Sequence, residues 1–274
     1  MSDVTPLPRF ARPPVVETIL GIYFRPMTAL SGIDLAIFWD RELRGEFPKA
    51  DLKPAVEAVT ERFGSPIIPE SLHLNLHATP PPSRLWMSTE ENDHVIQLQP
   101  DALLTNWLRS EANGEYISYA GRRDRFRSQL DQLERFIGSS GEDGIRPISV
   151  TVTYINHIAI NASLPVSDAI GELIVGWPGG ANDKWLPQAD AMKLSTSYPF
   201  QEQGGRLHLN VFPVFRSTDK SLVLRMELLG RANCREQEGV SGALQKLDLC
   251  HEWVVRGFAS LTTARMHSQW ERTE

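Results

Sequence analysis

Near the C-terminus, Leu244, Leu247, His251, Val254, Phe258 and Leu261 recur at alternating gaps of three and four. That spacing puts them on one face of an amphipathic helix, the face that packs inward. An imidazole in such a stripe must find a hydrogen-bond partner or carry the cost of its burial. Asp248 stands three residues earlier, within reach of the ring on a helix. A carboxylate-oriented imidazole can act as a general base or as a ligand contact. A histidine bonded within the core does neither and only locks the helix. No nucleophile motif accompanies His251, which favours the structural role.

Other polar residues sit on apolar faces. Val150, Val152, Tyr154, Asn156, Ile158 and Ile160 alternate along one stretch and share a strand face. An amide among them must bond to something, either a loop main chain or a ligand. Val95, Gln97 and Gln99 share a second face, with Asn106-Trp107 shortly after. Amides beside an indole line small-molecule and peptide sites, and interfaces and plain packing use the same residues. Gln99, Asn106, Asn156 and His251 are therefore the candidate ligand-binding residues, provided that they meet in an internal polar cleft. Glu17, Arg122 and Asp248 are the candidate structural polar residues. Arg122, Arg123, Arg125 and Arg127 crowd one helix start, where a solvated face with ion pairs is the expectation, Arg127 facing Asp131. Arg122 lies near that helix's apolar stripe, and Glu17 is the partner it would need if it turned inward.

No metal, cofactor or catalytic residue is nominated. His73 and His77, with His94 nearby, fall four apart on an alternating stretch, which is roughly 13 Å along a strand. That is too far to share one zinc at about 2 Å per bond. The chain has no Walker A loop, no GxGxxG after a strand, no GxSxG elbow, no HExxH and no CxxC pair. Gly179-Gly180 follows a proline and reads as a turn, and neither cysteine sits in a setting that marks a nucleophile.

The elements that must position these residues can be read from periodicity. Val15 to Phe24 predicts a strand with both faces partly covered, hence a central one. Ser31 caps a helix through about Arg44, and Leu52 to Phe63 reads as a second, short helix. Arg84 to Thr89 and Val95 to Gln99 form paired strands around a Glu91-Asn92-Asp93 turn. Pro66 to Pro82 is irregular. Tyr119 to Ile137 is a helix with Phe126, Leu130, Leu133 and Ile137 as its stripe, and Gly138 to Pro147 is the clearest loop. Ile148 to Ile160 is a long strand, Ser167 caps a helix ending near Trp177, and Pro178 to Pro187 is loop. Leu194 to Tyr198, Arg206 to Phe215 and Ser221 to Gly230 are antiparallel strands, and the His251 helix closes the fold.

This order predicts an α+β fold, a mostly antiparallel sheet with helices packed on one side. A duplicated β-α-β-β-α unit fits it, without residue-level self-similarity. Residues 1–14 form a Pro-rich segment. Residues 15–274 form one integral domain, with 15–140 and 145–270 as two closely packed halves. The net charge of −6 argues against a general nucleic-acid binder, leaving only local binding through the Arg122–Arg127 helix as a reading. Two cysteines, Cys234 and Cys250, are too few for a disulfide framework. The N-terminus has no apolar signal core, and no apolar run approaches the roughly 20 residues of a membrane helix. A cytoplasmic protein is expected.

Several stretches together carry a resemblance. They are Pro13-Pro14-Val15-Val16-Glu17, Val95-Ile96-Gln97-Leu98-Gln99, Asn106-Trp107, Tyr154-Ile155-Asn156, and Asp248-x-x-His251-Glu252 with Phe258. In this order, from about Pro13 to Trp270, the chain resembles a sporadically distributed family of prokaryotic proteins of similar length whose function is not established. The resemblance implies a prokaryotic cytosolic protein with one integral fold, and it supplies no activity. The family pattern has an arginine before Tyr-Ile-Asn where this chain has Thr153, so no charged role is expected there. The reading favoured by all of this is a non-catalytic binding or assembly protein that recognises a partner protein, a small ligand or a second copy of itself, without a membrane. The alternative is an enzyme or ligand sensor using His251, Asn156 and Asn106 in an internal cleft.

Overall fold

The alternation that opens the chain forms β1 (Val15–Phe24), whose even positions Leu20, Ile22 and Phe24 are fully buried. The structure is a computed structural model that describes residues 6–64, 83–110, 118–139, 141, 144–161, 164–177, 185, 189 and 191–274. After β1 come α1 (Gly32–Phe38), with a capping box between Ser31 and Asp34, and a wider turn through Leu43. A meander follows: β2 (Lys49–Pro54), β3 (Ser83–Ser88), β4 (His94–Gln99) and β5 (Ala102–Leu108). Then come α2 (Tyr119–Gly138), β6 (Pro147–Ala159), α3 (Val166–Leu173), β7 (Leu194–Phe200), β8 (Gly205–Phe215), β9 (Leu222–Asn233), α4 (Gly239–Leu261) and α5 (Ala264–Gln269).

The described strands form one nine-stranded antiparallel sheet in the order β2-β3-β4-β5-β1-β6-β9-β8-β7. The fold is α+β, with β1 at the centre. Each half runs strand, helix, meander, helix, and the last strand of each meander returns to pair with the first strand of its half. The halves join through β1 and β6, with Leu20 opposite Val152 and Ile22 opposite Val150. The predicted β-α-β-β-α unit is thus short by strands. The first meander has four strands, of which the sequence reading missed β2 and β5, and the second has the three strands it named.

Leu20, Ile22 and Phe24 share a core with the stripes of α2 (Phe126, Leu130, Leu133, Ile137) and α4 (Leu244, Leu247, Val254, Phe258). The helices cover this one face, α4 lying over β6, β8 and β9. Gly230 on β9 allows that close approach, since a Cβ there would sit 2.8 Å from the Cys250 carbonyl oxygen. Among the described residues no helix is long and apolar enough to cross a membrane.

The second face carries a smaller apolar cluster, Tyr23, Ala102 and Leu104, with Val56 and Ala58 packed on it. Here the sequence reading needs correction. Leu52 to Phe63 is no helix: Leu52 ends up exposed on β2, and residues 55–64 cross the sheet as an irregular strap. Its main chain is held by side chains from distant strands. Gln99 accepts from Val56 N at 3.0 Å and donates to Val56 O at 2.8 Å. Ser149 donates to Val59 O, while Asn233 accepts from Glu61 N and donates to Glu61 O, both at 2.8 Å. These bonds replace the ones a helix would have made. The α3 helix is also shorter than predicted, ending at Leu173, with Pro165 rather than Ser167 as its cap.

Candidate functional site

The stripe of α4 does carry His251 inward, where it meets the start of α2 rather than a carboxylate. Its ring stacks on Tyr119, centroids 3.7 Å apart and planes 5° apart, with the Tyr154 ring at 6.0 Å. Asp248 does not orient the imidazole directly, which corrects the expectation. It accepts from Tyr119 Oη at 2.8 Å and from Arg123 Nε and Nη2, each at 2.9 Å. The carboxylate therefore fixes the tyrosine, and the tyrosine ring fixes the histidine. Burial, and next the charge of Arg122, push the His251 pKa down to about 4 against a smaller opposing pull from Asp248. At neutral pH the ring is neutral, with one donor and one acceptor nitrogen.

His251 lines a cavity of about 610 Å³. Its walls are residues 7–10 and Pro13, the start of α2 at Ser118 to Ala120, the sheet at Tyr154, Asn156 and Leu228, and α4 at Val254, Val255 and Phe258. The Pro-rich segment thus has a place the sequence reading missed. Phe10 packs edge-on against Phe258 at 5.3 Å and Trp270 at 6.1 Å. Ala11 and Arg12 donate main-chain bonds to Glu271 and Trp270, each at 3.0 Å. One aromatic among prolines was the only local signal for this wall.

Asn156 sits on the cavity floor, 1% exposed. Its Nδ2 donates to the Met226 carbonyl at 3.2 Å, and its Oδ1 is buried without a hydrogen-bond partner. The amide cannot turn over, because the opposite orientation would set oxygen against the Met226 oxygen. His251 likewise has no protein hydrogen bond among the described residues. Beneath them Arg122 turns inward, 6% exposed, but its partner is not Glu17. It donates to Thr18 Oγ1 and to Tyr154 Oη, and its guanidinium lies over the Tyr154 and Trp107 rings at 5.4 and 5.8 Å.

Glu17, Asn106 and Gln99 are on the other face of the sheet, so the predicted convergence holds only for Asn156 and His251. Adjacent residues of β1 point to opposite faces, which sends Thr18 to Arg122 and Glu17 to Asn106. Asn106 Nδ2 donates to Glu17 Oε1 at 2.6 Å, and Gln97 Nε2 donates to Asn106 Oδ1 at 2.6 Å. Arg84 closes this chain by donating to Gln97. Gln99 holds the strap, as described above.

The strap ends in a charged cluster that the sequence reading did not find. Glu61 receives Arg206 Nε at 2.8 Å, His208 Nε2 at 2.7 Å and Arg231 Nη1 at 3.2 Å. Burial alone would raise its pKa, yet the hydrogen bonds from His208 and Arg206 and the charge of Arg231 hold it down at about 2. His208 Nδ1 in turn meets Ser197 Oγ at 2.9 Å. Two arginines on the carboxylate make it an ion-pair anchor for residues 55–64. No periodicity betrays this cluster, since Glu61 lies 145 residues from Arg206.

The remaining candidates resolve by geometry. Arg123 is bound to Asp248, Arg125 to Glu46 and Arg127 to Asp131 at 3.8 Å, so these three α2 arginines are tied to acids rather than presented as a free basic face. His94 contacts Asp93 at 3.2 Å, and no group of three or more metal-ligating residues occurs among the described residues. His73, His77 and Gly179-Gly180 lie outside the described residues. Cys234 and Cys250 are free thiols whose pKa values burial raises, that of Cys234 to about 12. No model of a known protein family matches this chain, and no curated protein matches it in sequence.

Proposed function

We propose that this protein is a non-catalytic binding protein of the prokaryotic cytoplasm that holds a small, largely apolar molecule in the cavity between α2, α4, the sheet and residues 7–13. The observation that carries the reading is the cavity itself, about 610 Å³ and walled by Phe10, Tyr119, His251, Val254, Val255 and Phe258. That volume is in the range of small-molecule sites, and an apolar lining with a few placed polar groups is their usual composition. Water alone would leave the apolar walls, Phe10, Val254, Val255 and Phe258, without apolar contacts. The resemblance to a prokaryotic family and the two free thiols support the cellular setting.

The reading is tested with naphthalene-ring probes, 2-naphthol, 2-naphthamide and 2-methylnaphthalene, by fluorescence titration and thermal melting. Saturable one-to-one binding of at least one probe is expected. Val255→Trp, which fills the cavity from a half-buried position, should abolish it while the circular dichroism spectrum stays unchanged. A panel without a saturable binder, or binding that Val255→Trp leaves intact, overturns the reading.

A further inference from the structure

The last strand of the sheet, β7, pairs with β8 on one side, and among the described residues no strand pairs with its other side. Which of its main-chain groups look outward follows from β8. At the two ends of that strand, Asn233 N donates to Gly204 O and Arg216 N to Ser221 O, each at 2.9 Å. The register between these bonds is unbroken, so the even-numbered residues of β8 bond to β9. In an antiparallel ladder, successive residues turn both main-chain groups to opposite sides. Arg206, His208 and Asn210 thus face β9, and the residues opposite them on β7, Pro199, Ser197 and Ser195, turn outward to the free edge. Pro199 fits that position because it has no N–H to give to β8.

This edge lacks the charges that keep edge strands apart. Leu194–Phe200 holds no charged side chain, whereas β2 at the opposite end of the sheet carries Lys49, Asp51 and Lys53. Ser195, Tyr198 and Pro199 are exposed. Tyr198, opposite the buried Leu207, stands on the helix side of the sheet. Its ring lines a groove of about 600 Å³ together with Leu207, Leu249 and Trp253. Lys193 continues the register just before β7, its Nζ 5.6 Å from the Phe212 ring centre.

We propose that β7 pairs antiparallel with β7 of a second copy of this chain, about a two-fold axis at Thr196, so that two sheets become one. In that register Ser195 faces the partner's Ser197, and each donates to and accepts from the other. The Pro199 carbonyl accepts from the N–H of the partner's Lys193. Every outward donor and acceptor of Ser195, Ser197 and Pro199 is then used, and the two-fold repeats each bond. An axis at Ser197 instead sets Ser195 against the partner's Pro199, which has no proton for the Ser195 carbonyl. The self-match of donors and acceptors is what selects a second copy as the occupant. On the helix side Thr196 meets its own counterpart, and Tyr198 meets the partner's Leu194, which gives the exposed ring an apolar cover.

The test is the mass of the full chain in solution at micromolar concentration, by light scattering after size exclusion and by sedimentation equilibrium. A dimer is expected. Thr196→Cys should form a covalent dimer under mild oxidation, since the facing Cα atoms of such a pair lie about 4.5 Å apart, within disulfide reach. The wild type and Leu52→Cys, on the exposed β2 edge, should form none in the same time. Ser195→Pro removes an outward donor and leaves the ladder to β8 intact. It should raise the dimer dissociation constant about ten-fold or more, because the two-fold doubles the lost bond. A wild type that stays monomeric overturns the proposal, and so does a dimer that Thr196→Cys fails to trap. Should Thr196→Cys not fold, Ser195→Pro decides: a weakened dimer upholds the pairing, and an unchanged one overturns it.

Discussion

His251 and Tyr119 lie face to face, 3.7 Å between centroids, although one belongs to α4 and the other to the first turn of α2. The contact ties the two long helices together in the wall of the cavity. It also explains why Asp248, one turn before His251, serves the tyrosine hydroxyl at 2.8 Å instead of the imidazole.

His251 should titrate well below its ordinary value of 6.5, with a midpoint near 4 set by burial and the Arg122 charge. The unfolded chain takes a proton at about 6.5 that the folded chain refuses. Stability from this group is complete above pH 6.5 and is lost as pH falls toward 4. Following the imidazole Cε1–H by NMR from pH 8 to 3.5 checks the midpoint. A midpoint at or above 6.5 would show that the ring is not held in this environment.

Glu61 behaves in the same direction at lower pH. Its carboxyl is held near 2 against an ordinary 4.5, which corresponds to about 3 kcal/mol of stability at pH 7. That contribution is present above pH 4.5 and disappears as pH falls through 2. Glu61→Gln should lower stability in urea by about 2–4 kcal/mol at pH 7 and by progressively less toward pH 2, since it leaves Arg206 buried without its anion. A loss independent of pH would mean that the charge does not hold the strap.

Asn156 and Gln99 should differ on removal. Asn156→Leu gives up one bond to the Met226 carbonyl but also eliminates a buried unpartnered oxygen, so stability should change by less than about 1 kcal/mol. Gln99→Leu strips both the N–H and the C=O of Val56 of their partners and should cost about 1–3 kcal/mol. Equilibrium denaturation of the two variants checks the ordering, and a more damaging Asn156→Leu contradicts it.

Gly230→Ala should destabilise by about 1–3 kcal/mol, because the added methyl meets the Cys250 carbonyl at 2.8 Å and must push α4 from the sheet. Since α4 carries His251, Val254 and Val255 into the cavity, binding of 2-naphthamide should weaken along with the fold. A thermal melt and a titration of the same variant test both effects.

Exchanging the charges of Glu17 and Arg122 should not restore what either single change damages. The two side chains emerge on opposite faces of the sheet, Glu17 bound to Asn106 and Arg122 to Thr18 and Tyr154. The double variant Glu17→Arg/Arg122→Glu should show additive losses in a double-mutant cycle. A coupling energy beyond about 0.5 kcal/mol would place them in contact after all.

Period and alternation determined which residues face the core. The three-four spacing of Leu244 to Phe258 is enough to form α4 and aim His251 inward, and the alternation of β6 is enough to put Asn156 beside Tyr154. These are local consequences of 3.6 and 2 residues per repeat, and they give the α+β class with its antiparallel sheet. Local spacing cannot say what will lie opposite an inward polar group. Asp248 finds Tyr119 across 129 residues, and Asn156 finds Met226 across 70. Nor can it separate the faces of two different strands, so Asn106 and Asn156 look alike in sequence yet finish on opposite sides of one sheet. The same reason turned residues 55–64 from a predicted helix into a strap, because Gln99, Ser149 and Asn233 offer its main chain partners that exist only once β4, β6 and β9 are assembled. Pairing across the sheet, which is a property of the assembled chain, decided where the cavity lies and which residues line it.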